Sequence, residues 1–147
     1  MSVALQQLLA LVERNLSLHL LEDAKFYAER LYYEAGGSQE SLNILAQCYF
    51  RQGKTKQVCL ILQNSAASLA NRYLLATCCY ALNKLEEAEA ALAPHGVERA
   101  LQVVHSVPGG AAGLYLLGCV CRRSHRKETS IKLFTASLQV RKKIRVV

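Results

Sequence analysis

The stretch RYLLATCCYALNKLEEAEAAL (residues 72–92) contains a large–small pair, Leu75-Ala76, and a further small residue, Ala88, twelve positions later. Its apolar residues recur at intervals of three and four, which predicts two amphipathic helices over residues 72–82 and 85–92. Asn83 lies between them and tolerates the left-handed conformation of a tight turn. The stretch therefore predicts an antiparallel helix pair in which small residues permit close approach.

The same arrangement recurs along the chain. The small members of the large–small pairs lie at residues 12, 46, 76 and 118, at intervals of 34, 30 and 42. This spacing is typical of tetratricopeptide repeats, although the tryptophan and proline usual in that motif are missing. The sequence predicts an all-α fold, a tetratricopeptide-repeat solenoid of about four antiparallel helix pairs. The positions that follow each pair by twelve and by sixteen residues are Ala24, Val58, Ala88 and Ser130, and Ala28, Leu62, Leu92 and Phe134.

Helical periodicity extends over the remaining segments, and no segment alternates with a period of two. Gly36 and Gly37 are expected to end the second helix, and Ser38 or Ser41 to cap the third. Further helices are predicted over residues 5–16, 21–34, 42–51, 56–63 and 111–122, over 127 to about 141, and, as a short piece, over 97–105.

Six cysteines raise the alternatives of a metal or redox site and of packed thiols. No C-x-x-C occurs, and no cysteine pair has histidines at zinc-finger spacing. Most of the cysteines fall at repeat positions where helices pack, which favours buried small hydrophobes. Without export signals or membrane-length apolar runs, reduced thiols in a cytosolic or nuclear protein are the expectation. The cysteines are Cys48, Cys59, Cys78, Cys79, Cys119 and Cys121.

Catalytic patterns are missing from the sequence. It has no G-x-S-x-G, no H-E-x-x-H and no complete phosphate-binding loop, and VPGGAAG (residues 107–113) is interpreted as a connector. The four histidines are scattered and have no nucleophile or carboxylate partner at a fixed spacing. We therefore expect no enzyme, no cofactor and no small-molecule substrate.

Basic residues are concentrated at the C-terminal end. The net charge is +7, and residues 122–147 hold nine Lys/Arg against one acid. No aromatic residues are interleaved with these charges, so base stacking is not indicated. A solvated helix face is favoured over nucleic-acid binding, which would show as a steep salt dependence.

Two longer blocks are more specific than the repeat pattern. DAKFYAERLYYE (residues 23–34) and SLNILAQCYFRQGK (residues 41–54) resemble the N-terminal region of the Cdc twenty-seven subunit family of the anaphase-promoting complex. VPGGAAGLYLLG (residues 107–118) and RKETSIKLF (residues 126–134) look most similar to the plant form, called Hobbit. The resemblance covers residues 5–139, so residues 140–147 are interpreted as a basic tail of separate origin.

The resemblance implies a non-catalytic scaffold of a cell-cycle ubiquitin ligase, located in nucleus and cytoplasm, that contacts itself and other subunits of the complex. In that family the N-terminal repeats form a homodimer, and a separate C-terminal repeat array binds activators. The predicted interaction surface lines the first two helix pairs and consists of Phe26, Tyr27, Arg30, Tyr49, Phe50 and Tyr73.

One further expectation concerns the C-terminal end of the predicted array. The last helix pair should leave an apolar patch unshielded at Leu114, Leu117, Leu133 or Phe134, which would favour association.

An alternative function is a peptide-clamp adaptor of the co-chaperone type. The Lys, Asn and Arg that such a clamp requires are missing from the corresponding positions.

Overall fold

The computed structural model describes residues 2–145, and within this range the chain is helical without a β-strand. The prediction of an all-α fold is confirmed. Contacts divide the chain into two compact units, Met1–Ala67 and Ser68–Val147. The first contains α1 (Val3–Ser17), α2 (Leu21–Glu34), α3 (Gln39–Arg51) and α4 (Thr55–Leu62). The second contains α5 (Leu69–Ala81), α6 (Leu85–Leu92), α7 (Val97–Gln102), a 3-10 turn (Val104–Ser106), α8 (Ala111–Arg123) and α9 (Lys127–Arg145).

The first unit has a small core formed by its first three helices. Val12 of α1 packs against Ala24 and Ala28 of α2, and none of the three is more than 1% exposed. Leu45 and Cys48 of α3 complete this cluster. The alanines carry only a Cβ, so the backbones of neighbouring helices can approach closely and the burial of apolar surface stabilises the pair.

The second unit has a larger core around α8. Leu114 and Leu117 of α8 and Leu133 of α9 are fully buried, together with Leu92 and Ala76 of the α5/α6 pair. Within the last pair, Gly118 lies against the ring of Phe134. A Cβ added at Gly118 would lie 2.6 Å from a carbon of that ring. A side chain at residue 118 would therefore require the Phe134 ring to shift.

The turn inside each helix pair has the same backbone geometry. One residue in each turn has a left-handed φ: His19 at 58°, Gly53 at 76°, Asn83 at 61° and His125 at 63°. In every case the following residue donates its N–H to the carbonyl five residues earlier, as Leu20 does to Asn15 at 2.9 Å. This is the Schellman motif that satisfies the last carbonyls of a helix. The left-handed role predicted for Asn83 is confirmed.

Serine caps mark the start of the first helix in three of the pairs. The hydroxyl oxygens of Ser2, Ser38 and Ser68 accept hydrogen bonds from the backbone N–H three residues later, at 3.2–3.3 Å. These bonds satisfy donors that a helix leaves unpaired at its N-terminus. Of the two predicted caps of α3, Ser38 is the one used, and Ser41 bonds back to it.

Several helix ends differ from the sequence prediction. The helices α3 and α5 each begin three residues earlier than predicted, at Gln39 and Leu69.

Two further differences lie later in the chain. The piece predicted over residues 97–105 is divided, since α7 ends at Gln102 and a 3-10 turn occupies Val104–Ser106. The last helix, predicted to end near residue 141, continues to Arg145. No glycine or proline interrupts residues 127–145, so nothing stops the helix there. Residues 146–147 of the predicted tail lie outside the described residues.

Of the four residues named for the unshielded patch of the last pair, three lie in the interior. Leu114, Leu117 and Leu133 are buried because they face the core of their own unit. Only Phe134 is partly exposed, and its ring contacts that of Tyr115 at 5.4 Å between centroids. Among the described side chains of this pair, the large apolar ones that are more than half exposed are Tyr115, Ile131 and Leu138.

Candidate protein-interaction surface

An apolar groove runs along the first helix pair. We call it the α1/α2 groove; it encloses about 570 Å³. Phe26 of α2 is 64% exposed although it is a large apolar side chain, and Leu11 of α1 is also exposed. Groups of exposed apolar side chains of this kind are typical of sites that bind another protein. The groove is lined by Ser2, Ala4, Leu5, Gln7, Leu8, Leu11, Phe26, Tyr27, Arg30 and Glu34.

Three of the six predicted surface residues meet in this groove. The rings of Phe26 and Tyr27 contact edge to face, with centroids 5.5 Å apart. One turn further along α2, the Arg30 guanidinium pairs with Glu34 at 3.1 Å between Nε and Oε1. The groove therefore has an aromatic wall and an exposed rim that carries one positive and one negative charge.

Tyr49 lies in a separate polar cluster of the first unit. Its hydroxyl donates to Glu29 Oε1 at 3.0 Å, and the ammonium groups of Lys25 and Lys54 lie 5.9 and 5.8 Å from its ring centre. Burial, and then the hydrogen bond to Glu29, raises the pKa of the Tyr49 hydroxyl above its usual range. This arrangement ties α3 to α2 and leaves the ring half-buried.

The remaining two predicted residues lie elsewhere. Phe50, on α3, is 38% exposed and does not line the α1/α2 groove. Tyr73 lies on α5, outside the first two pairs, where it packs against the core of the second unit and against Gly109. The structure thus joins Phe26, Tyr27 and Arg30 in one surface.

The α1 side of the groove was not predicted from the sequence. Leu5, Leu8 and Leu11 line it, while Val12 alone of that helix is fully buried. A helix with one buried residue and several further leucines has more apolar surface than its own core uses. That excess of leucines was the available signal.

The six cysteines are buried, as the packing interpretation predicted. Burial raises the pKa of the Cys48 thiol to about 11 and also raises that of Cys121. A thiol with a raised pKa is a poor nucleophile near neutral pH. Across residues 2–145 no three His, Cys, Asp or Glu side chains are grouped so that they could hold a metal ion. None of the helices described there has the length and apolarity needed to cross a membrane.

Comparison with known proteins identifies the family. A model of the family described as anaphase-promoting complex, cyclosome, subunit 3 matches residues 17–95, more than half of the chain. The chain belongs to this family. The matched residues include α2, α3 and α4 of the first unit and the α5/α6 pair of the second.

Named relatives agree with the assignment to the subunit 3 family. Cell division cycle protein 27 homolog A of Arabidopsis thaliana is 39% identical over 86% of the chain and 17% of its own length. The human cell division cycle protein 27 homolog is 39% identical over 60% of the chain and 11% of its own length. The chain thus spans less than a fifth of the length of these curated relatives. Among solved structures, that of MamA is 17% identical with a TM-score of 0.76, covering 97% of this chain and 81% of that one, which is a likeness of fold.

Proposed function

We propose that this chain is a non-catalytic scaffold and homodimerisation module of the anaphase-promoting complex, acting in nucleus and cytoplasm. Membership of the subunit 3 family supports the assignment to that complex. The α1/α2 groove carries the homodimer part of the proposal, because it is an exposed apolar surface on the first helix pair. The proposed partners are a second copy of the chain and other subunits of the complex.

The groove has the features of a self-complementary interface. Phe26 supplies an exposed aromatic anchor of the kind that dominates binding energy at protein interfaces. Arg30 and Glu34 place opposite charges one turn apart on the rim. In a dimer with twofold symmetry the same patch meets itself, so Arg30 of one copy can pair with Glu34 of the other. If the rim carried charges of one sign only, the two copies would repel each other at this contact.

The test is the oligomeric state of the full chain by light scattering and sedimentation at micromolar concentration. We expect a dimer, and Phe26→Glu should weaken it by tenfold or more, about 1.4 kcal/mol or more of association free energy. Tyr33→Glu is the matched control, since Tyr33 is on the same helix, is 81% exposed and does not line the groove. A strict monomer, or equal effects of both variants, would contradict dimerisation through the groove.

Charge reversal tests the proposed pairing across the twofold axis. Arg30→Glu alone and Glu34→Arg alone should each weaken self-association, because each puts like charges opposite each other. A mixture of the two variants should recover a heterodimer in which every contact joins opposite charges. Failure of the mixture to associate, while the unchanged chain dimerises, would assign the interface to another surface.

Association with the complex is tested separately. A tagged copy of the chain should co-purify with named subunits of the anaphase-promoting complex from dividing cells, quantified by mass spectrometry. Phe26→Glu separates the two parts of the proposal, since it should reduce self-association first. Recovery of no subunit would count against the scaffold role and leave the dimer test unaffected.

A further inference from the structure

The second unit contains a small pocket lined by cationic side chains, separate from the α1/α2 groove. We call it the α5/α7 pocket; it encloses about 250 Å³ between the start of α5, the segment after α6, and α7. Arg72, His95 and Arg99 line it, next to the hydroxyl-bearing Ser106. Its apolar floor includes Leu92 and Val107, both buried. A polar, positively charged opening above an apolar floor is a common form of binding site.

The positive charge of this pocket is not balanced locally. No aspartate or glutamate is among its lining residues. The ion pairs between described side chains involve Lys25, Arg30 and Arg126, and neither Arg72 nor Arg99 takes part in them. Two arginines that face one cavity without a carboxylate repel each other, and an anion in the cavity would remove that repulsion.

Arg72 is held in place by the fold. Its Nε donates to the carbonyl of Ala91 at 3.1 Å, and its side chain is half-buried at the pocket wall. A guanidinium has five N–H donors in a planar fork, so this bond uses one and orients the others. A guanidinium fixed in this way loses little conformational entropy on binding and matches the geometry of phosphate and carboxylate oxygens. Arg99 adds a second guanidinium from α7.

The geometry points to the α5/α7 pocket as an oxyanion-binding site that takes the phosphate group of a phosphorylated serine or threonine in a partner polypeptide. Such a phosphate carries a charge of about −1.5 to −2 at neutral pH, which two arginines balance. Drug-sized ligands occupy cavities of roughly 300–1,000 Å³, so about 250 Å³ suits one phosphorylated side chain rather than a nucleotide. No Phe, Tyr or Trp lines the pocket to stack on a base.

The test is an NMR titration of the full chain at constant ionic strength. The probes are inorganic phosphate and N-acetyl-phosphoserine amide, compared with N-acetyl-serine amide and with acetate. We expect saturating shifts of the backbone amides of residues 95–99 and 106 with both phosphate probes, and at least fivefold weaker binding of acetate. Saturation by phosphoserine amide without inorganic phosphate would still support the site, whereas equal binding of unmodified serine amide would overturn it.

Matched arginine variants decide whether the effect is specific. Arg99→Gln removes an exposed pocket guanidinium and should weaken phosphoserine amide at least fivefold. Arg123→Gln removes the same charge from the same unit, where Arg123 lies over the ring of Tyr80 at 4.3 Å and outside the pocket. It should leave binding within twofold. Circular dichroism checks that both variants are folded. Equal losses, or shifts without saturation, would reduce the effect to general charge attraction and overturn the proposal.

Discussion

The first and last helix pairs carry the small residues of their contact on opposite helices. In the α1/α2 pair the small residues belong to the second helix, where Ala24 and Ala28 face Val12. In the α8/α9 pair the small residue belongs to the first helix, where Gly118 faces Phe134. At aligned positions, Val12 corresponds to Gly118 and Ala28 to Phe134.

This comparison shows what the repeat pattern specifies. Where two helices cross, close packing fixes the summed volume of the side chains that meet there. Either helix can therefore supply the small side chain. Each repeat can therefore depart from the common pattern at one position when a second position compensates. A degenerate repeat sequence can therefore still form a packed helix pair.

The largest expected effect on the free energy of unfolding comes from a substitution on the interior face of the last pair. Leu133→Ala removes a fully buried side chain and should lower the free energy of unfolding by about 3 to 4 kcal/mol. Leu138→Ala is the matched control on the same helix, 60% exposed, and should change it by less than about 0.5 kcal/mol. Urea denaturation followed by circular dichroism measures both. Similar losses for the two leucines would contradict the assignment of the interior face.

Exchange of residue sizes between the two pairs tests compensation directly. Ala28→Phe places the bulky residue of the last pair in the first, where no space exists. It should lower the free energy of unfolding by about 2 to 3 kcal/mol. Adding Val12→Gly reproduces the combination found in the last pair. We expect the double variant to lose at least about 1 kcal/mol less than the sum of the single losses. Strictly additive losses, measured by the same denaturation, would break the comparison.

The smallest expected effect is in the last pair. Gly118→Ala brings a Cβ to 2.6 Å from the Phe134 ring, but alanine also favours the helix by about 1 kcal/mol over glycine. The free energy of unfolding should therefore fall by about 1 kcal/mol, because the cost of overpacking exceeds the gain in helix propensity. Phe134→Leu in the same chain should relieve the contact. A thermal melt in which Gly118→Ala alone is more stable than the unchanged chain would refute the close approach.

Local sequence signals predicted the helices well because those signals act locally. The bounds predicted for α2 and α6 agree with the structure, since glycines end the first and an asparagine turn precedes the second. The exposed faces were predicted poorly. Periodicity identifies the apolar stripe of a helix but not which neighbour covers it. Leu133 was named among the residues that the last pair could leave partly unshielded, and it lies in the core.

The candidate surface was likewise predictable only where its residues are close in sequence. Phe26, Tyr27 and Arg30 are neighbours on one helix, and helical spacing was enough to group them. The α1 wall of the groove and the position of Tyr73 depend on contacts between helices, which a single sequence does not encode directly. The α5/α7 pocket joins residues from three helices, the segment after α6 and the 3-10 turn, and no short motif predicts it.

The shared left-handed turns have a consequence for how the chain tolerates insertions and deletions. From the first small position to the second, every pair keeps the same count, 12 to 24, 46 to 58, 76 to 88 and 118 to 130. One added residue inside a pair would rotate the second helix by about 100° and turn its buried face outward. From the first small position of one pair to that of the next, by contrast, the interval varies from 30 to 42 residues. Length variation should therefore accumulate in the connections between pairs and be eliminated within them.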